Sequence, residues 1–144
     1  MAETYNSALI VGAALSMIAA LLHIAIIFGG PNWYRFFGAG RKMAEAAERA
    51  EWYPTIITFG IAAVLGVWST YALSGAGVLR PLPLLRQVLC AMTAIYLLRG
   101  LVLVPVLAAA RNRVTPFLVW SSLICMLYGV THLIGLVQIW SRPI

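Results

Sequence analysis

The sequence predicts an all-α integral membrane protein, a four-helix transmembrane bundle with a short interfacial helix in its first loop. Three observations carry that expectation. Of 144 residues, 62% are hydrophobic and only 10% charged, too apolar a balance for a water-soluble domain of this size. The apolar residues gather into four runs, each with the ~20 residues needed to cross ~30 Å of hydrocarbon. The basic residues fall mostly between or just beside those runs, where they meet lipid headgroups and fix orientation.

The first run spans about 7–29 and ends at Gly29-Gly30-Pro31, which stops a helix by freeing φ and removing an N–H. The N-terminus ahead of it is acidic at Glu3 and the run is long, so it reads as a retained helix and not as a signal peptide. The second run, about 55–77, opens just after Pro54, a favoured place for proline at a helix start. The third spans about 87–110 and the fourth about 116–140. The connections at 78–86 and 111–115 are short, so the helices they join are antiparallel neighbours.

The first connection is longer. Arg41, Glu45 and Arg49 repeat at the i, i+4 spacing among alanines 44, 46, 47 and 50, which predicts an amphipathic helix over about 39–52 lying at the membrane surface. The glycine- and aromatic-rich stretch 29–40 before it suits a membrane-anchoring turn or a re-entrant loop. Trp33, Tyr34, Trp52, Tyr53 and Trp140 fall where aromatic belts are expected.

The loops at 30–54 and 111–115 carry Arg35, Arg41, Lys42, Arg49, Arg111 and Arg113, against Arg80, Arg86 and Arg142 on the other side. That excess puts the first pair of loops inside and both termini outside, periplasmic in a bacterial inner membrane. The net charge of +6 is thereby a membrane signal, and nucleic acid is not an expected partner. Cys90 and Cys125 both fall within apolar runs at different depths, and act as small hydrophobes.

Arg99 is the most informative residue. It lies about twelve positions into the third run, near the bilayer midplane, where a charged side chain must face the protein interior or a water-filled cavity. Thr93, Tyr96 and Arg99 share one face of that helix at i, i+3, i+6. On the fourth, Ser121, Cys125, Tyr128, His132, Gly135 and Gln138 form one polar and small stripe. The first run offers Ala8, Gly12, Ser16, Ala20 and His23, the second Thr55, Thr58, Ala62, Gly66 and Ser69. Small residues at such spacing also let helices approach closely.

None of the four runs contains an acidic residue. Arg99 therefore needs tyrosine hydroxyls, carbonyls, water or a bound anion as its partner, making it either a ligand's counter-ion or a structural hydrogen-bond hub. The same lack counts against proton pumping and against zinc or iron sites. Haem between His23 and His132 fails on depth, since residue counting at ~1.5 Å per residue separates them by roughly 13 Å along the membrane normal. No metal or cofactor is expected.

The expected ligand-binding residues are thus His23, Tyr96, Arg99, Tyr128 and His132, lining a polar centre that takes a small anionic or lipid-like, amphipathic ligand for transport or lipid-phase handling. The histidines would sit towards opposite mouths. The alternative is an enzyme of isomerase or reductase type on a sterol, quinone or isoprenoid, with a histidine as acid–base; a second is an accessory subunit. Convergence of a histidine and Arg99 within about 8 Å would favour chemistry, separation along a channel would favour passage. So small a bundle implies a homo-oligomer.

Overall fold

The computed structural model describes residues 5–140. Glu3 and Arg142, on which the retained first helix and the orientation partly rest, lie outside the described residues. The fold is an all-α four-helix bundle whose four long helices are apolar enough to cross a membrane. The elements are α1 (Ser7–Phe36), α2 (Arg41–Glu48), α3 (Trp52–Gly75), α4 (Leu85–Leu101), α5 (Leu103–Ala109) and α6 (Pro116–Trp140), with a 3₁₀ turn at Arg111–Arg113. Helices α4 and α5 together form one membrane-length span, Leu85–Ala109. Two compact units divide the chain, one from residues 5–16 with 68–140, the other Met17–Val67.

In the first unit, α1 starts at a buried asparagine. Asn6 Oδ1 accepts from the Leu9 N–H at 3.0 Å, an N-cap that satisfies one orphan donor of the first turn. Its Nδ2 donates to the Gly135 carbonyl at 2.9 Å, and its backbone N–H donates to the Ala76 carbonyl at 3.1 Å. One side chain and its backbone thereby tie α1 to α6 and to the end of α3. Ser69 on α3 adds a bond to the Ala13 carbonyl of α1 at 2.8 Å.

The turn after α3 is held by Ser74, whose hydroxyl donates to the Arg80 carbonyl at 2.8 Å and accepts from the Leu82 N–H at 3.0 Å. The span break at Val102 has a local cause: Pro105 has no N–H to return to the Leu101 carbonyl. Helix α6 begins at Pro116 as the spacing predicts, capped by Thr115 Oγ1 accepting from the Leu118 N–H at 3.1 Å. At its far end Trp140 lies under the Arg86 guanidinium, 5.4 Å from the ring centroid, a cation–π contact.

Helices α4 and α6 pack antiparallel and very closely. A Cβ on Gly100 would come within 2.8 Å of the Met126 backbone nitrogen, and one on Gly129 within 3.0 Å of the Leu97 backbone nitrogen. Each helix gives a glycine where the other presents its backbone, the small-residue route to close approach in lipid.

In the second unit, the chain does break at Gly30, which takes φ 66°, ψ −154°, a region essentially restricted to glycine. The helix then resumes at once, because Pro31 is suited to a first helical position, and continues to Phe36 where the sequence predicts a loop or turn. It closes with the Gly38 N–H donating to the Arg35 carbonyl and the Ala39 N–H to the Tyr34 carbonyl, a Schellman motif with glycine at its left-handed position. Helix α2 closes in the same way, through Ala50 N–H to Ala47 and Glu51 N–H to Ala46, but there the left-handed residue is alanine at φ 55°.

The charged row on α2 is shorter than its spacing suggests. Arg41 pairs with Glu45 at 3.4 Å, while Arg49 sits in the C-cap and turns to Glu51 at 2.6 Å. That carboxylate raises the already high Arg49 pKa, chiefly through the hydrogen bond. Arg35 pairs with Glu48; exposed pairs of this kind contribute about 0–1 kcal/mol each. Trp33, Trp52, Tyr53 and Trp140 are exposed as belt residues should be, whereas Tyr34 is 2% exposed and packs with Ile26 and Ala44. The renewed helical turn after Gly30 points it inward.

Candidate functional site

Three of the five expected site residues meet in the first unit, around Tyr96. Its hydroxyl shares a 2.9 Å hydrogen bond with Ser16 of α1. Its ring contacts Trp68 of α3 edge-on, with centroids 5.1 Å apart, Tyr128 at 5.4 Å and His132 at 5.3 Å. The stripes read from spacing explain this: Tyr96 lies on the buried face of α4 with Met92, Thr93 and Gly100, and Tyr128 and His132 lie on the buried face of α6. Gln138, assigned to the same stripe, is exposed, and Ile139 takes the buried place.

His132 is wholly buried, at 0% exposure. Its Nδ1 lies 2.8 Å from the Tyr128 carbonyl. A carbonyl only accepts, so Nδ1 carries the proton and Nε2 is left as the acceptor in the neutral ring. Nε2 is buried and finds no hydrogen-bond partner among the described residues. It faces Gly12 of α1, where an added Cβ would stand 2.8 Å from that nitrogen. Glycine at position 12 is what lets the imidazole lie against the α1 backbone.

Arg99 is held differently from the sequence expectation. Its two terminal nitrogens donate to Ser121 Oγ at 3.0 Å and Ser122 Oγ at 3.4 Å. The glycine contacts set the register, with Gly100 against Met126 and Gly129 beside Leu97, so the Arg99 backbone faces about residue 127. The guanidinium therefore reaches some five to six residues towards the start of α6, about 8 Å at ~1.5 Å per residue. A helical side chain ordinarily leans towards its helix's N-terminus. Arg99 leans the other way, towards the connection at 111–115, as a long cationic side chain does when it seeks the interface.

No carboxylate lies within ion-pair distance of Arg99 among the described residues. Counting along α6, Ser121 and His132 are eleven residues apart, about 16 Å at ~1.5 Å per residue. Arg99 and the Tyr96–His132 cluster are thus two stations on one helix face.

His23 belongs to the second unit. It is half-buried, with Nδ1 2.7 Å from the Ala19 carbonyl, so it repeats the local i−4 bond of His132. Asn6, Ser16, Trp68 and Ser122 are not among the ligand-facing residues expected from spacing. Of these, Ser16 lies on the small and polar stripe of the first run, and Asn6 is a capping residue directly before an apolar run. Cys90 and Cys125 are free thiols, and no cluster of three His, Cys, Asp or Glu side chains able to hold a metal occurs among the described residues.

Compared with known proteins, the chain matches no family model, and no similar curated protein or solved structure was found.

Proposed function

We propose that this integral membrane protein binds a small anionic or amphipathic ligand between its helices, for transport or for handling in the lipid phase, with Arg99 as the charge partner. The observation that carries this reading is a half-buried guanidinium whose partners are two neutral serine hydroxyls. Hydroxyls orient a cation without neutralising it, so the site retains a positive field in a low-dielectric setting where an anionic headgroup is the natural complement. Tyr96, Tyr128 and His132 form a second polar cluster further along the bundle.

The spacing between the Arg99 partners and His132 favours binding or passage over an enzyme that brings both groups to one reacting atom. The basic excess around 30–54 and 111–115 supports placing those loops inside a bacterial inner membrane, with both termini outside, and the small bundle supports a homo-oligomer.

The reading is tested by native mass spectrometry of protein released from nanodiscs of phosphatidylglycerol mixed with phosphatidylcholine. Wild type is expected to keep an anionic lipid adduct. Arg99→Leu should lose it by about 10- to 100-fold, the equivalent of one charge-assisted contact of ~1.5–3 kcal/mol, and Arg99→Lys should keep part of it. Equal retention in a folded Arg99→Leu protein would make Arg99 structural and end this reading.

A further inference from the structure

The unit Met17–Val67 contains a cavity of about 240 Å³ that the Arg99 reading does not use. Its lining includes Ile27, Tyr34, Ala47, Glu51, Trp52 and Thr55, and the broken turn at Gly30 and Pro31 forms one edge. Tyr34 is 2% exposed, and its hydroxyl is buried with no hydrogen-bond partner among the described residues. An unmet buried hydroxyl costs about 1–3 kcal/mol, so its retention beside a cavity points to something that completes it.

The other polar groups narrow the chemistry. Pro31, at the cavity edge, has no N–H to return to the carbonyl of Ile27, another lining residue. Glu51 is already paired with Arg49 at 2.6 Å, so the carboxylate offers no free charge for an ammonium. An anion would meet the Glu51 carboxylate, itself an acceptor. A hydroxyl meets both demands, donating to an acceptor and accepting from Tyr34. The volume is below the roughly 300–1,000 Å³ of drug-sized sites, enough for a headgroup and its first carbons, and the walls at Ile27, Ala47 and Trp52 are apolar.

We infer that this cavity binds the hydroxyl headgroup of a membrane-partitioned alcohol, with the Tyr34 hydroxyl as its fixed hydrogen-bond partner. The alkyl chain leaves over Trp52, which is largely exposed. The strained backbone around the cavity, Gly30 on one side and left-handed Ala50 on the other, holds the walls apart.

The full chain in nanodiscs is photolabelled with a long-chain alcohol carrying a diazirine near its hydroxyl, alongside the matching fatty acid and alkyl trimethylammonium. The alcohol is expected to label peptides covering 27–34 or 47–55 at least about fivefold more than either charged probe, a ~1 kcal/mol preference. Tyr34→Phe should cut that labelling by a similar factor while its melting midpoint, in alcohol-free micelles, stays level or rises. Ala47→Leu, which fills the cavity, should cut it too. Competition by diacylglycerol would assign the hydroxyl to a membrane lipid, and competition by unlabelled 1-decanol alone would assign it to a free alcohol. Labelling within twofold of wild type in both folded variants, or equal labelling by the charged probes, would overturn the proposal.

Discussion

Gly100→Ala tests how tightly α4 and α6 are pressed together. The added methyl would stand 2.8 Å from the Met126 nitrogen, 3.0 Å from its Cα and 3.1 Å from its Cβ, against the 3.5–4.0 Å at which heavy atoms attract best. These atoms are backbone or directly attached to it, so no rotamer change relieves the overlap. The helices must separate by close to 1 Å, which forfeits a quarter to a half of the dispersion well for contacts across that seam. Overpacking of this kind costs about 1–3 kcal/mol, and the better helix propensity of alanine returns at most ~1. A net loss of about 1–2 kcal/mol is expected, read from unfolding in mixed micelles titrated with dodecyl sulfate and followed by tryptophan fluorescence. Gly129→Ala should lose less, since its nearest neighbours are the movable Leu97 Cδ2 and Cγ atoms. The double variant should lose less than the sum, because one separation makes room for both methyls. Gly60→Ala, where nothing lies within 4 Å, is the control and should be neutral or stabilising. A Gly100→Ala protein as stable as wild type would refute the close packing.

The same unfolding assay checks three further expectations. Asn6→Ala should destabilise by about 2–4 kcal/mol, since it removes a cap and a buried interhelical bond and deprives the Gly135 carbonyl of the Asn6 donor; a loss under about 0.5 kcal/mol would show that these bonds are replaced by others. Tyr96→Phe should lose about 0.5–1.5 kcal/mol, Ser16→Ala about as much, and the pair no more than either alone, because both delete one hydrogen bond. Ala50→Gly should gain about 0.5–1 kcal/mol, the left-handed penalty of ~1–2 less the extra chain entropy of glycine; a loss would mean that the alanine methyl is needed for packing.

The four crossings are legible in the sequence because lipid imposes both a length and an apolar composition on each, and few other folds satisfy both. Tyr96, Tyr128 and His132 are legible as candidates for a related reason: residues at steps of three and four share a helix face, and the short connection makes the two helices neighbours; a connection does not fix which faces touch, so their meeting is visible only in the structure. The spacing also singles out Arg99, but it counts the depth of the backbone and cannot give the direction of a flexible side chain, so the reach to Ser121 and Ser122 is visible only in the structure. Asn6 is legible as a cap, but a single polar residue outside the run has no periodicity to show that its side chain also bonds α6. Gly30 and Pro31 are legible as a break, yet the same proline that ends one helix starts the next, and only the fold decides which role prevails. Tyr34 follows from that choice, moving from an expected membrane belt to a buried core.

The two units handle their polar groups in opposite ways. In the one formed by residues 5–16 and 68–140, Asn6, Ser16, Ser69, Ser74 and Thr93 are buried and each is hydrogen-bonded, which is the ordinary condition of buried polar groups. His132 Nε2 stands out against that background. In Met17–Val67 the departures cluster around one small space: a glycine-only backbone conformation, a left-handed alanine, a helical carbonyl with no proline N–H to receive, and a buried tyrosine hydroxyl without a partner. Any one of these is tolerable alone, at about 1–3 kcal/mol. Their coincidence at a single cavity is what local consistency between sequence and fold would remove if stability were the only requirement. Relieving them singly, through Ala50→Gly and Tyr34→Phe, should therefore leave stability level or raise it, while only the second should cut capture of an alcohol, by about fivefold. A protein in which both changes destabilise would instead make these features part of the packing, and the cavity an incidental gap.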